Sequence, residues 1–362
     1  MPHEKKSEVT TPEVTTPKDT MRAALLHGVR DLRIERAPKP ERAPDEVLLR
    51  VRAVGVCGSD LHYYLEGAIG ATKSAEPFIL GHEFAAEVVE GFELTPGLAP
   101  GTLVAVDPNR SCGVCEWCAA GYPNLCPNVE FAGVPPYQGA LAEYITARPD
   151  ELIALPEGFD AAAAALLEPL GVAIHALDLA HLKPMESVAV LGAGPIGLLI
   201  MQVARWCGAG QLSVIEPLEY RRNLAVKLGA DAAFASWEEL KSATGGRGVD
   251  VVLEATTSPL GPQHAAETVR IGGRLVLVGI PEGDEFTLNA SLVRRKGLSI
   301  KLSRRMGHVY SRAVQMVQRG QVDLTALATH RFGLEGTPEA FALHADYRDG
   351  VIKSVVFPFG DD

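Results

Sequence analysis

Val188-Ala-Val-Leu-Gly-Ala-Gly-Pro-Ile-Gly-Leu-Leu-Ile200 is the stretch that decides the fold. Four apolar residues of strand character run into Gly192, Gly194 and Gly197, and an apolar helix is expected over 195–207. A G-x-G-x-x-G pattern by itself often only makes turns. Between a strand and a helix, each glycine has a task. Gly192 permits the tight turn, Gly194 lets a pyrophosphate approach the backbone, and Gly197 lets helix and strand pack closely. Pro195 and Ile196 open the helix, whose unpaired N–H groups and positive end suit a phosphate. The next strand, Leu212-Ser-Val-Ile, ends at Glu216, 19 residues after Gly197. A carboxylate there would accept hydrogen bonds from ribose hydroxyls and repel a 2′-phosphate, favouring NAD. Arg221 and Arg222, close behind, are the groups that could instead reach the phosphate of NADP.

Outward from this unit, a helix over 219–228, the strand Val251-Val-Leu and the strand Leu275-Val-Leu-Val continue the alternation. Short apolar strands separated by helices imply a parallel sheet covered on both faces. The expectation is therefore an α/β chain with a doubly wound, dinucleotide-binding domain over 171–305. Residues 21–170 read differently, with alternating runs such as Val47-Leu-Leu-Arg-Val-Arg-Ala-Val and frequent Gly/Pro punctuation. They suggest a mostly β domain with long loops. After 305 come a helix over 311–319, Phe332 and the strand Ile352-Lys-Ser-Val-Val-Phe. That strand is expected to return to the first domain, so that 306–362 completes it and the second domain is an insertion. Residues 1–20 are polar and repeat Glu-Val-Thr-Thr-Pro at 8–12 and 13–17. Too little apolar surface is available there to offset ordering entropy, so a disordered tail is expected.

The chain has 362 residues, enough for two domains, and carries 34 basic against 45 acidic residues, a net charge of −11. That balance argues against nucleic acid or an anionic membrane as partner. No apolar run reaches the roughly 18 residues of a membrane-spanning helix, and the polar N-terminus has no signal-peptide core. A cytoplasmic protein acting on a small molecule is expected.

Four of the six cysteines fall in one loop, 107–127, as Cys112-x2-Cys115-x2-Cys118-x7-Cys126. Four soft ligands at this spacing suit tetrahedral Zn²⁺ with no open position, hence a structural site; an unmetallated or redox cluster is the alternative. Cys207, at the end of an apolar helix, and His175, in an apolar helical stretch, read as core residues. A second, scattered set consists of Cys57, the pair His82-Glu83, and Glu168 in Leu-Glu-Pro-Leu. A Cys/His/carboxylate set suits a catalytic zinc. From spacing alone a solvated His-Glu pair is an equal reading.

In order along the chain, Gly-Val-Cys-Gly-Ser-Asp-Leu-His (55–62), Gly-His-Glu (81–83), the four-cysteine loop, Gly-Ala-Gly-Pro-Ile-Gly (192–197) and Thr-His-Arg-Phe (329–332) resemble the zinc-containing medium-chain dehydrogenases. Ser-Asp-Leu-His-Tyr-Tyr (59–64) and Glu-Pro-Leu (168–170) look most like the sorbitol dehydrogenase branch. The resemblance implies a GroES-like catalytic domain beside the Rossmann domain and two zinc ions per chain. It implies Cys57, His82 and Glu83 as ligands of a catalytic zinc, with Glu168 bound directly or through water. Asp60 would fix the His82 tautomer. Ser59 would take the substrate proton and His62 pass it to solvent. Tyr63, Glu168 and Arg305 would contact substrate. Arg221, Val278, Gly279, Ile280 and Arg305 would join the glycine loop and Glu216 in holding NAD. The implied reaction is hydride transfer from a secondary alcohol, a linear polyol of the sorbitol or xylitol type, giving a ketose. A diol, threonine or an aldose are alternative substrates. A recruited, non-enzymatic protein is disfavoured by the intact Cys57, Ser59, His82, Glu83 and Glu168. A homotetramer is implied. Met306 and His308 depart from the branch, which usually has tyrosine and asparagine there, so the pocket is expected to differ.

Overall fold

In the computed structural model, which describes residues 20–73, 77–95 and 97–360, six parallel strands form one sheet. In chain order these are Ser187–Leu191, Gln211–Ile215, Ala232–Phe234, Val249–Glu254, Val269–Leu277 and Ser299–Leu302. Numbered within the sheet, their spatial order is 3-2-1-4-5-6. The order reverses beside Ser187–Leu191, so a crevice opens at the carboxyl ends of that strand and Val249–Glu254. Gly192 sits at this switch point, and the helix Pro195–Trp206 follows it. The expected parallel sheet is present, with two strands, Ala232–Phe234 and Ser299–Leu302, beyond those read from the sequence.

The other main sheet has seven strands and is mostly antiparallel. At its centre, Val47–Gly55 pairs with Glu83–Glu90, Tyr144–Ala147 and Ser354–Phe357. The last of these is fully buried and arrives from the far end of the sequence, with Val355 opposite Gly55. The chain thus enters the β sheet, leaves to build the parallel one, and returns. The expected disordered tail falls, apart from Thr20, outside the described residues. Thr20 itself starts the strand Thr20–Gly28.

The division expected at 170 falls inside a continuous helix, Leu167–Ala180. That helix is apolar on nearly every side because it packs between the two sheets: Leu167, Leu170, Ala173 and Leu177 share one core cluster with Ala53 and Ala85 on one side and Val190 and Leu199 on the other. Cys207 is exposed, contrary to its reading as core, since the helix ends at Trp206 and its final turn passes beyond the sheet. His175 is only half-buried, and burial lowers its pKa. Among the described residues no helix is long and apolar enough to cross a membrane.

Candidate active site

Strand register brings the scattered metal set together. Gly55 stands opposite Glu83 in the antiparallel pair, so Cys57, two residues on, lies beside the turn Gly81-His82-Glu83. Gly81 has φ +95°, which a residue with a side chain rarely adopts, and turns the chain so that His82 and Glu83 both face inward. A Cβ at Gly55 would overlap a Glu83 carboxylate oxygen. Ligand atoms of Cys57, His82 and Glu83 all lie within 4.8 Å of one another, with His82 and Glu83 buried.

The helix Gly58–Glu66 begins at Cys57 and is closed by a capping box in which Asp60 accepts the Cys57 N–H at 3.1 Å. Asp60 Oδ1 also lies 3.3 Å from His82 Nδ1, although Nδ1 is buried without an aligned hydrogen bond. On the other side of the ring, Nε2 is 3.3 Å from Ser59 Oγ. Burial opposes the imidazolium, but Asp60 and Cys57 together raise the His82 pKa. One helical turn further, His62 Nδ1 lies 2.9 Å from Glu66 Oε1, whose side chain is 42% exposed. The helix therefore carries a line of polar groups from the buried cluster to the surface.

Glu168 enters from the first turn of the Leu167–Ala180 helix. Burial raises its pKa to about 8, with Glu83 and Asp107 pushing the same way and His82 and Lys353 opposing. Its carboxylate is not part of the three-residue convergence. Tyr63 is buried, edge-on to Phe78 at 5.4 Å, and burial with Asp60 pushes its hydroxyl up to about 12. Arg305 has φ +54° and its guanidinium lies 4.1 Å above the Phe131 ring. Burial and Arg304 lower its pKa to about 10, against the fields of Glu168, Asp107 and Tyr63.

The four-cysteine loop folds into its own lobe. The four thiols lie within 4.8 Å of one another, with Cys115 Sγ 3.5 Å from Cys118 Sγ and 3.9 Å from Cys126 Sγ. Tetrahedral zinc with Zn–S near 2.3 Å needs sulfurs about 3.8 Å apart. Backbone N–H groups of Val114 and Cys115, with the Cys126 thiol, draw the Cys112 pKa down to about 6. The donor set fits zinc. The Cys57/His82/Glu83 set fits it as well, on its mixed S/N/O donors gathered within 4.8 Å of one another.

The glycine loop has the shape a pyrophosphate requires. Gly192 has φ +91°. A Cβ at Gly197 would overlap the Gly192 carbonyl, whereas one at Gly194 would meet nothing closer than Arg221 Nη1 at 3.8 Å. Space is therefore left open only where a ligand would approach. Glu216 is buried, and its oxygens accept the N–H groups of Ala193 at 2.8 Å and Leu218 at 3.0 Å. Arg221 donates to Tyr220 Oη and faces the Tyr347 ring at 5.3 Å. Arg222 Nη1 donates to the carbonyls of Glu216 and Pro217 at 2.8 and 2.7 Å. Val278 and Gly279 pair with the Glu254 carbonyl at the rim of the crevice, and Ile280 beside them is 40% exposed.

Two family profiles match in series: "Alcohol dehydrogenase GroES-like domain" over residues 43–157 and "Zinc-binding dehydrogenase" over 195–319. A sorbitol dehydrogenase of Bacillus subtilis is 38% identical over 349 residues, covering 95% of this chain and 99% of its own length. The chain belongs to the zinc-dependent medium-chain dehydrogenases. Within that family it falls in the polyol dehydrogenase branch, where a D-xylulose reductase A of Aspergillus niger is 35% identical over 88% of this chain and 91% of its own length. A zinc-binding dehydrogenase of Sinorhizobium meliloti, solved bound to NADP, superposes with a TM-score of 0.85 at 30% identity, over 94% of this chain and 99% of that one.

As a medium-chain dehydrogenase the chain has elements its sequence did not disclose. Lys353 bonds both oxygens of Glu83, at 2.9 and 2.8 Å, and the Val56 carbonyl at 2.8 Å. Glu83, expected simply as a metal ligand, is thus also one half of a buried ion pair. A lysine inside the apolar run Ile352-Lys-Ser-Val-Val-Phe was the available signal. Asp107, Asn109 and Phe131 border Arg305 without having been singled out. Burial raises Asp107 to about 6, opposed by the Asn109 N–H. Of the two departures noted in the sequence, Met306 turns into the core, against Gly171, and His308 is exposed.

Proposed function

We propose that this dehydrogenase oxidises a secondary hydroxyl of a linear polyol to a ketose, with NAD⁺ as acceptor and two Zn²⁺ per chain. The observation that carries the reading is the convergence of Cys57, His82 and Glu83 beside the polar groups Tyr63, Glu168 and Arg305. Three such groups would be costly to leave unpaired around an apolar alcohol, whereas a chain of hydroxyls satisfies them. The sorbitol and xylulose enzymes among its relatives support the same substrate class.

Cys57, His82 and Glu83 would hold the catalytic zinc, with Glu168 reaching it through water, and Cys112, Cys115, Cys118 and Cys126 the structural one. Zinc at the first site supplies Lewis acidity to the substrate hydroxyl, and NAD⁺ is the hydride acceptor. Asp60 fixes the His82 ring so that one nitrogen stays aimed at the site. Ser59, beside His82, takes the hydroxyl proton, and His62 with Glu66 conducts it outward. Gly192, Gly194, Pro195, Ile196 and Gly197 receive the pyrophosphate, with Arg221 above them. Glu216 meets the ribose hydroxyls, and Val278, Gly279 and Ile280 line the nicotinamide side. The buried Glu216 carboxylate supports NAD over NADP, with Arg222 as the competing group. The free cysteines support a cytoplasmic setting. The edge strand Ser299–Leu302, with Leu302 67% exposed, supports a homo-oligomer, with the tetramer as the expected form.

The test is a panel of sorbitol, xylitol, 2,3-butanediol, threonine and an aldose with NAD⁺ and NADP⁺, followed by absorbance of the reduced cofactor and chromatography of the product. A polyol giving a ketose with NAD⁺ is the expected result. Best turnover on the diol, threonine or aldose would overturn the substrate assignment.

A further inference from the structure

Arg305 is gripped by a single lobe of the chain. The four-cysteine loop is closed at its base by a two-stranded sheet in which Phe131 stands opposite Asn109. From that base the Phe131 ring lies 4.1 Å beneath the Arg305 guanidinium, and Asn109 Oδ1 lies 3.4 Å from its Nη1. Asn109 is itself fixed, since its N–H donates to Asp107 Oδ1 at 3.0 Å. The third contact comes from the lobe proper. Asn124, only 4% exposed and two residues before Cys126, donates from Nδ2 to the Arg304 carbonyl at 3.0 Å, across 180 residues of sequence. Arg305 needs such restraint, because φ +54° is a conformation that a residue with a side chain seldom adopts unaided.

We propose that the four-cysteine lobe is the positioning element for Arg305, acting through Asn124 and Asn109. This rests on the reading of Arg305 as a substrate contact. Asn124 holds the backbone and so the origin of the side chain. Asn109 and Phe131 hold the guanidinium plane, so its fork of donors is oriented before substrate arrives. A metal that stiffens the cysteine loop would thereby sharpen substrate recognition in the cleft, in addition to stabilising the fold.

The test is a double-mutant cycle with sorbitol and 2-butanol as substrates. Asn124→Ala and Asn109→Ala are each expected to raise KM for sorbitol about tenfold, with turnover of 2-butanol within about twofold, as misplacement of a binding group predicts. Adding either change to Arg305→Ala should cost nothing further, because the positioned group is already gone. Equal losses on both substrates, or losses that multiply in the double variants, would overturn the proposal. Zinc content and thermal midpoint are recorded alongside. If Asn124→Ala releases the metal, Asn109→Ala, in the two-stranded base of the loop and shown to keep its zinc, decides. A substrate-independent arm separates this proposal from the polyol reading: labelling of Arg305 by phenylglyoxal, mapped by mass spectrometry, should rise several-fold in both variants. Unchanged labelling overturns the positioning role. A wild type without preference for sorbitol overturns only the polyol reading.

Discussion

Lys353 Nζ sits 2.8 and 2.9 Å from the two oxygens of Glu83, both residues almost completely buried and 270 positions apart in sequence. The pairing couples the last strand to the start of Glu83–Glu90, immediately beside His82. Burial alone would lower the lysine's pKa, yet Glu83 and Cys57 raise it, so the ammonium is charged and matched. Removing one partner strands the other. Lys353→Met is expected to cost about 3–5 kcal/mol, because a buried carboxylate is left without its counter-charge. The loss should be greater in metal-depleted protein, where Glu83 has no metal ion to help balance its charge. Urea unfolding measures it, and a variant as stable as wild type would show that Glu83 does not need the lysine.

The two metal sets differ in what their loss should do. Cys57→Ser is expected to abolish activity with the fold retained, whereas Cys115→Ser should mainly lower the thermal midpoint and, through the hold of its lobe on Arg305, raise KM for the polyol without abolishing turnover. Elemental analysis of purified, fully active protein should give two zinc ions per chain, and one or none would contradict the assignment of both sites.

Glu216 should set cofactor choice. Glu216→Ala removes a charge-assisted acceptor, worth roughly 1.5–3 kcal/mol, so NAD efficiency should fall about ten- to a hundredfold. Arg222, bonded to the Glu216 carbonyl, is then left to favour NADP. Comparison of kcat/KM with the two cofactors checks this, and a wild type that prefers NADP⁺ would show that Arg222 already prevails.

The glycine unit was legible because each of its three positions answers to a local demand: positive φ at Gly192, open space at Gly194 and backbone contact at Gly197. The cysteine lobe was legible for the same reason, its ligands lying within one loop. Ala232–Phe234 and Ser299–Leu302 escaped reading because the first has only three residues and the second is an exposed edge with Lys301 at its centre. The first is apolar but too short to set a pattern, and Lys301 interrupts the second. Glu83–Lys353 and Arg305–Asn109 join positions 270 and 196 residues apart, which no periodicity records. Leu167–Ala180 hid the division between the two sheets because a helix packed on both sides shows no polar face at which to place a boundary.

His344 gives the fold a pH dependence of defined sign. Its Nε2 accepts the Ser354 N–H at 3.0 Å, and burial, with Lys353 and Arg221, holds its pKa down to about 3. In the unfolded chain the group titrates near its ordinary value of about 6.5. Between those values the unfolded state binds the proton and the folded state does not, so stability falls as pH drops through this window. The contribution between pH 7 and pH 5 is about 2 kcal/mol. His344→Gln should remove that part of the slope in urea midpoints measured across this range, and an unchanged slope would contradict it.

The most direct test of the central claim is the ratio of kcat/KM for sorbitol or xylitol to that for 2-butanol, with NAD⁺, in wild type and Arg305→Ala. A site built to bond hydroxyls rejects analogues that lack them by up to about 10⁴–10⁵-fold. The expected result is a wild-type ratio of several orders of magnitude that mostly collapses in Arg305→Ala, with turnover of 2-butanol little changed. A wild-type ratio near or below one would contradict the claim that this dehydrogenase acts on polyols.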